Sequence, residues 1–260
     1  MPVDPKAIDG RVEPARFSGL TYEDFRSMAG DPALSANEKI GMPDPTRLGF
    51  DASILADILH KAPSLARRGQ IVVDIGSGCG TFAHHFIAYC RNLEHKLVLV
   101  DSAEMLMHLP DAPNVHKVVG RFPANEASIK DEISEGADVV LAYGVLSVVF
   151  ADSNPFLFLD RAAALLRNGG HLLVGDVPNA SKLRRCLATD AGARYHKQYM
   201  RTEEPPAVSA FDPPTDRIDD GVILGIVDRM RRRGFDAYVV PQSESLPFSN
   251  RREDILIVRP

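Results

Sequence analysis

From about residue 70 onward, short apolar runs alternate with longer stretches that carry apolar residues at helical spacing. The runs predict strands at Ile71–Ile75, Leu97–Asp101, Val115–Val119, Asp138–Tyr143, His171–Asp176, Ala237–Val240 and Ile255–Val258. Most are continuously apolar, as strands covered on both faces are. Helices are expected near Thr81–Asn92, Ala103–Leu109, Pro155–Arg167 and Asp219–Arg233, with Gly169 and Gly170 ending the third of these. Such a rhythm builds βαβ units and a mainly parallel, doubly wound α/β sheet. The last two strands break it. Only Pro241 to Asp254 separates them, with turn formers and no helical period, so an antiparallel hairpin is expected there.

Two segments lie outside this pattern. Residues 1–50 are rich in turn formers and charge and read as an amino-terminal arm or lid, with one short helix near Tyr22–Met28. Residues 51–260 then form the main domain. Residues 178–216, with Glu203-Glu204-Pro205-Pro206 and Asp212-Pro213-Pro214, read as a structureless lid insertion within it.

Composition narrows the class. Hydrophobic residues at 45% and charged residues at 25% suit a soluble globular chain, and 260 residues suit one large domain with an appended lid. The run Ala137 to Phe150 falls short of the roughly 18 residues of a membrane span. The opening MPVDPKAIDG lacks a charged-then-apolar signal pattern, so a cytoplasmic location is expected. Cys79, Cys90 and Cys186 show neither CxxC nor zinc spacing and are expected to be reduced. His84 and His85 are adjacent on a helix and cannot share one ligand, so no metal is expected. A net charge of −5 argues against a nucleic-acid partner. The basic run Arg229 to Arg233 before Gly234 reads as a helix end, where cations offset the dipole.

The chemistry centres on IVVDIGSGCGTF, Ile71 to Phe82. A buried strand runs into Gly76, Gly78 and Gly80, and a helix follows. Glycines allow a sharp turn and close approach of a ligand, and the helix start presents free N–H groups. This design takes a nucleotide-like cofactor at the carboxyl ends of the strands. A dinucleotide fingerprint would need a third glycine at position 81, which is Thr81, and Asp74 stands where an apolar residue is usual.

These residues resemble the first motif of the Rossmann-like class I S-adenosylmethionine-dependent methyltransferases. The resemblance covers about residues 50 to 260. It implies that Asp74 and the glycine loop face the methionine half of the cofactor and that Asp101 holds the ribose hydroxyls. One ionised carboxylate can accept both hydrogen bonds of a vicinal diol. DSAEML (Asp101 to Leu106) is similar to the family pattern and implies Ser102 and Met105 near the adenosine. At the third strand end Arg121 stands where many members have an acid or amide for the adenine, and Phe122 could stack on the ring or join the core. Tyr143-Gly144-Val145-Leu146 resembles the fourth motif, which puts Tyr143 along the cofactor cleft, and LLRNGGHLLVGD (Leu165 to Asp176) resembles the helix–turn–strand that follows. EKIGMPDPTR, LVLVDSAEMLMHLP and LPFSNRREDILIVRP look like enzymes of bacterial surface-polysaccharide and sugar modification. A sugar or glycan intermediate, free or nucleotide-linked, is therefore the expected small-molecule acceptor.

Transfer of an activated methyl group demands alignment above all, and a base only where the nucleophile is protonated. The catalytic candidates are His196 in the insertion, Asp176 at the end of the fifth strand, and Tyr143. Each also has a bland reading, as surface histidine, turn cap or cleft lining. Arg26, four residues after Tyr22, could pair with a cofactor or substrate carboxylate or with a surface acid. Glu38, Lys39 and Asp44 could contact substrate. A nicotinamide-dependent oxidoreductase is a rival reading, weakened by Thr81, Asp74 and the lack of a Tyr-x-x-x-Lys pair. A non-catalytic cofactor-binding module is the other rival.

Overall fold

A computed structural model describes residues 19–206, 208 and 217–260. The amino-terminal decapeptide and Asp212-Pro213-Pro214 lie outside the described residues. Seven strands form one sheet: β1 (Ile71–Ile75), β2 (Lys96–Asp101), β3 (Val115–Val119), β4 (Ala137–Tyr143), β5 (Leu166–Pro178), β6 (Asp236–Pro241) and β7 (Arg252–Val258). Their order is β3-β2-β1-β4-β5-β7-β6. The first five pair in parallel, and β7 runs antiparallel to both β5 and β6. The expected closing hairpin is present.

Side chains alternate across the sheet and so feed two cores. Val73, Val140 and Val174 pack on one face with Leu146, Phe158, Ile226 and Met230. Val72, Leu99 and Leu141 pack on the other with Ile54, Ile58, Phe86 and Met105. The helices of the first face are α7 (Glu126–Glu132), α8 (Leu146–Asp152), α9 (Pro155–Ala164) and α12 (Asp220–Arg232). Those of the second include α4 (Asp51–Lys61), α5 (Thr81–Asn92) and α6 (Ala103–Leu106).

Several boundaries differ from the sequence reading. Helix α9 stops at Ala164, because Leu166 already pairs with Ala137 at the start of β5. Gly169 and Gly170 therefore sit in an irregular stretch of strand rather than at the helix end. The insertion after β5 is not structureless. It holds α10 (Ala180–Leu187), capped by Asn179, and α11 (Asp190–Met200), capped by Thr189.

The arm before the domain is built too. Helix α1 (Tyr22–Gly30) starts in a capping box between Thr21 and Asp24, and α2 (Ala36–Lys39) in one between Ser35 and Glu38. Helix α3 (Asp44–Arg47) follows, one turn before α4.

Candidate active site

A cleft runs along the carboxyl ends of β2, β1, β4 and β5, where a doubly wound sheet takes its ligands. Its walls include Asp74, Gly76, Gly78, Gly80, Asp101, Met105, Arg121, Phe122, Tyr143 and Asp176, all expected from the sequence. The arm supplies Tyr22, Phe25, Ile40, Met42 and Arg47. Ser102, His196, Arg26, Glu38, Lys39 and Asp44 are not among the residues that line the cleft. The Ser102 hydroxyl accepts the Met105 N–H at 3.2 Å and caps α6. Helix α11 packs its stacked Tyr195 and Tyr199 against Arg251, and the His196 side chain is turned about 100° from Tyr195.

The loop after β1 is shaped by close approach. Gly78 has φ 59°, and a Cβ there would stand 2.7 Å from Ile40 of the arm. Asp101, at the end of β2, accepts the Gly78 N–H at 2.8 Å on one oxygen and the Ser102 N–H at 2.7 Å on the other. Each oxygen keeps a further lone pair. Burial pushes its pKa up to about 6. Asp74 is more deeply buried, and burial together with the Asp101 charge pushes it up to about 7.

Arg121 closes one end of the cleft. It is ion-paired with Asp152 of α8, donates to Ser153 Oγ at 2.5 Å, and its guanidinium lies 5.2 Å from the Tyr22 ring centre. Asp152 also accepts the Tyr22 N–H at 3.1 Å. Arg121 thus clasps α1 to the domain. Phe122 lines the cleft and meets Phe158 of the core edge-on at 5.2 Å. Arg26 takes the bland option, pairing with Glu104 at 2.6 Å and Glu23 at 2.8 Å. Glu38 closes the α2 capping box, and Asp44 accepts from Ser35 and Asn37 at 2.9 and 3.0 Å.

The other end of the cleft is charged and buried. Tyr143 lies over Gly175, where a Cβ would meet the ring at 2.3 Å, and burial raises its hydroxyl well above its ordinary value. Asp176 has φ 58° and is ion-paired with Arg252. It also accepts from Gln242 at 3.2 Å, and Arg47 lies 3.7 Å away. Beneath it, Asp254 accepts the Asp176 N–H at 2.8 Å and Lys61 Nζ at 2.6 Å, and Lys61 also pairs with Asp57. Sequence reading missed Arg47, Lys61, Asp254 and Gln242. Their isolated positions carry no motif, and only the packed chain brings them together.

Residues 73–172 match the family model described as a methyltransferase domain. The chain thus carries a methyltransferase domain. S-adenosylmethionine is the cofactor that such a domain implies. A search of curated proteins finds no match. Among solved structures, the plantazolicin methyltransferase BpumL in complex with SAH superposes with a TM-score of 0.55 at 13% identity, over 95% of this chain and 98% of that one. The N-methyltransferase NodS from Bradyrhizobium japonicum, also with SAH, gives 0.51 at 12% identity over 92% and 98%. These likenesses show the Rossmann-like methyltransferase fold.

The site of this methyltransferase suits the cofactor. Asp101 has the lone pairs for a ribose diol, and Gly76, Gly78 and Gly80 of the loop line the cleft. Asp74 is a buried carboxylate that an amino-acid ammonium would relieve. Among the described residues no group of three or more His, Cys, Asp or Glu could hold a metal. Among the same residues no helix is long and apolar enough to cross a membrane.

Proposed function

We propose that this methyltransferase methylates a small molecule seated between Tyr143, Asp176 and Arg47, with the cofactor ribose on Asp101 and its methionine end on Asp74 and the loop from Gly76 to Gly80. Met105 and Phe122 would flank the adenine. The observation that carries this reading is Asp101, whose two oxygens are fixed by backbone donors yet free for two more. S-adenosylmethionine supplies a sulfonium methyl group that is already activated for in-line displacement.

The protein contributes alignment and exclusion of water. The arm helices, clasped by Arg121 and seated on the loop by Ile40, cover the cofactor end. No side chain serves as a free base in this reading. Asp176 is committed to Arg252 and Gln242, and the Tyr143 hydroxyl holds its proton too strongly. The acceptor, a sugar included, therefore brings a nucleophile that is already unprotonated, such as a neutral amine or a carboxylate. A sugar or glycan intermediate fits a cleft whose wall sets aromatic rings (Tyr22, Phe25, Tyr143) beside charged groups, which suits a ring with apolar faces and polar edges. Cytoplasmic residence belongs to the same proposal and is supported by three free cysteines.

Calorimetric titration with S-adenosylmethionine, S-adenosylhomocysteine and NAD tests the reading, with Asp101→Ala alongside. Both sulfur ligands should bind, NAD should not, and the substitution should weaken binding by about tenfold or more, ~1.4 kcal/mol. Binding of NAD alone would return the oxidoreductase. Tight sulfur-ligand binding with no methyl transfer to any acceptor in a broad small-molecule screen would favour the non-catalytic module.

A further inference from the structure

We propose that Arg47 is the anchor for a carboxylate group of the acceptor, which makes the substrate of this methyltransferase a small carboxylic acid or an acid-bearing sugar. Arg47 ends α3, and its side chain is only 7% exposed. Its guanidinium has five N–H donors. Among the described residues none of them makes a hydrogen bond, and Nε is fully buried with no partner at all. The nearest acid, Asp176, is 3.7 Å from Nη1, beyond hydrogen-bond range. Asp176 is within ion-pair distance of Arg47, but its side-chain hydrogen bonds come from Arg252 and Gln242. The remaining neighbour is the Tyr143 ring, its centre 5.7 Å from Cζ. Buried guanidinium groups ordinarily bond through most of their donors. This one lines the cleft with its donors unused.

Position assigns the source of the anion. Asp101, the carboxylate proposed for the cofactor's ribose, is at the end of β2, and the glycine loop follows β1. Arg47 stands instead between Tyr143 at the end of β4 and Asp176 at the end of β5, on the acceptor side. Charge assigns the class. A carboxylate is planar and singly charged, and matches one edge of a guanidinium with two parallel hydrogen bonds. A phosphate dianion would need further cations, whereas the other cations here are taken: Arg252 by Asp176, and Lys61 by Asp57 and Asp254. The nearby Asp176 carboxylate would also repel the second charge.

This inference rests on the methyltransferase reading, and its test keeps the two apart. The protein is first saturated with S-adenosylhomocysteine, so failure of that step speaks against the cofactor assignment alone. The complex is then titrated with benzoate, benzamide and inorganic phosphate. Benzoate should bind at least about tenfold more tightly than its neutral amide and than phosphate. Arg47→Gln and Arg47→Lys, each checked for cooperative unfolding, should lose most of that preference while binding S-adenosylhomocysteine as the native protein does. The idea fails if benzoate does not bind the complex, binds no better than benzamide or phosphate, or binds both variants unchanged. It fails also if the variants lose S-adenosylhomocysteine affinity about tenfold, since Arg47 would then hold the cofactor's own carboxylate.

Discussion

The side-chain oxygen of Asn37 accepts both the backbone N–H and the hydroxyl of Thr81, each at 3.1 Å. Thr81 is the first residue of α5, the helix that opens after the glycine loop, and Gly80 before it has no side chain to cap with. A residue of the arm therefore caps the helix on which the loop depends. Asn37 is 1% exposed and is held in turn by Asp44.

Asn37→Ala removes that cap and leaves the partly buried Thr81 N–H of α5 unpaired. We expect a loss of about 1–2 kcal/mol in urea unfolding. A several-fold weaker affinity for S-adenosylhomocysteine should accompany it. Unchanged stability would mean that the arm leaves the domain in solution.

Lys61 stands between Asp57 and Asp254, all three nearly inaccessible to water. Lys61→Met leaves two uncompensated buried acids and should cost roughly 3–5 kcal/mol. Adding Asp254→Asn to the same chain should recover part of the loss. The checks are urea midpoints for the single and double variants, and an additive double variant would contradict the coupling.

Burial raises Asp74 to about 7 and Asp101 to about 6, above the ordinary carboxylate value. Groups raised in the folded state take up protons there first, so their ionisation opposes folding. The ligand-free protein should gain stability from both as pH falls from about 7.5 toward 5. Cofactor binding needs Asp101 ionised and should run the other way, weakening about tenfold one pH unit below 6. Calorimetry in paired buffers should detect proton release on binding near pH 6. An affinity flat from pH 5 to 7.5 would refute this.

Tyr143 contributes its ring, not its proton. Tyr143→Phe should keep kcat within about threefold and leave the pH profile in place, whereas loss of a general base costs about 10²–10⁴-fold. Gly175→Ala should do more harm, because the added methyl enters the space of the ring. Methyl transfer to an acceptor found through the carboxylate titration would read both, and a hundredfold fall in Tyr143→Phe would restore it as a base.

The strands, the glycine loop and Asp101 were legible because each depends on neighbours in sequence. A strand buried on both faces must be apolar along its length, and a loop of alternating glycines must turn where it stands. Even the closing hairpin could be read, since Pro241 to Asp254 leaves no room for a crossover helix. The acceptor end of the cleft was not legible in that way. Lys61 meets Asp254 across 193 residues, and Asp176 meets Arg252 across 76. Nothing near Arg47 in the sequence marks it as facing Tyr143 and Asp176. His196 shows the converse: a histidine in a long insertion looked free to act, but α11 does not bring it to the lining of the cleft. Local chain geometry follows from local residue types, but the pairing of buried charges depends on which distant segments pack together, and that was decided only by the fold.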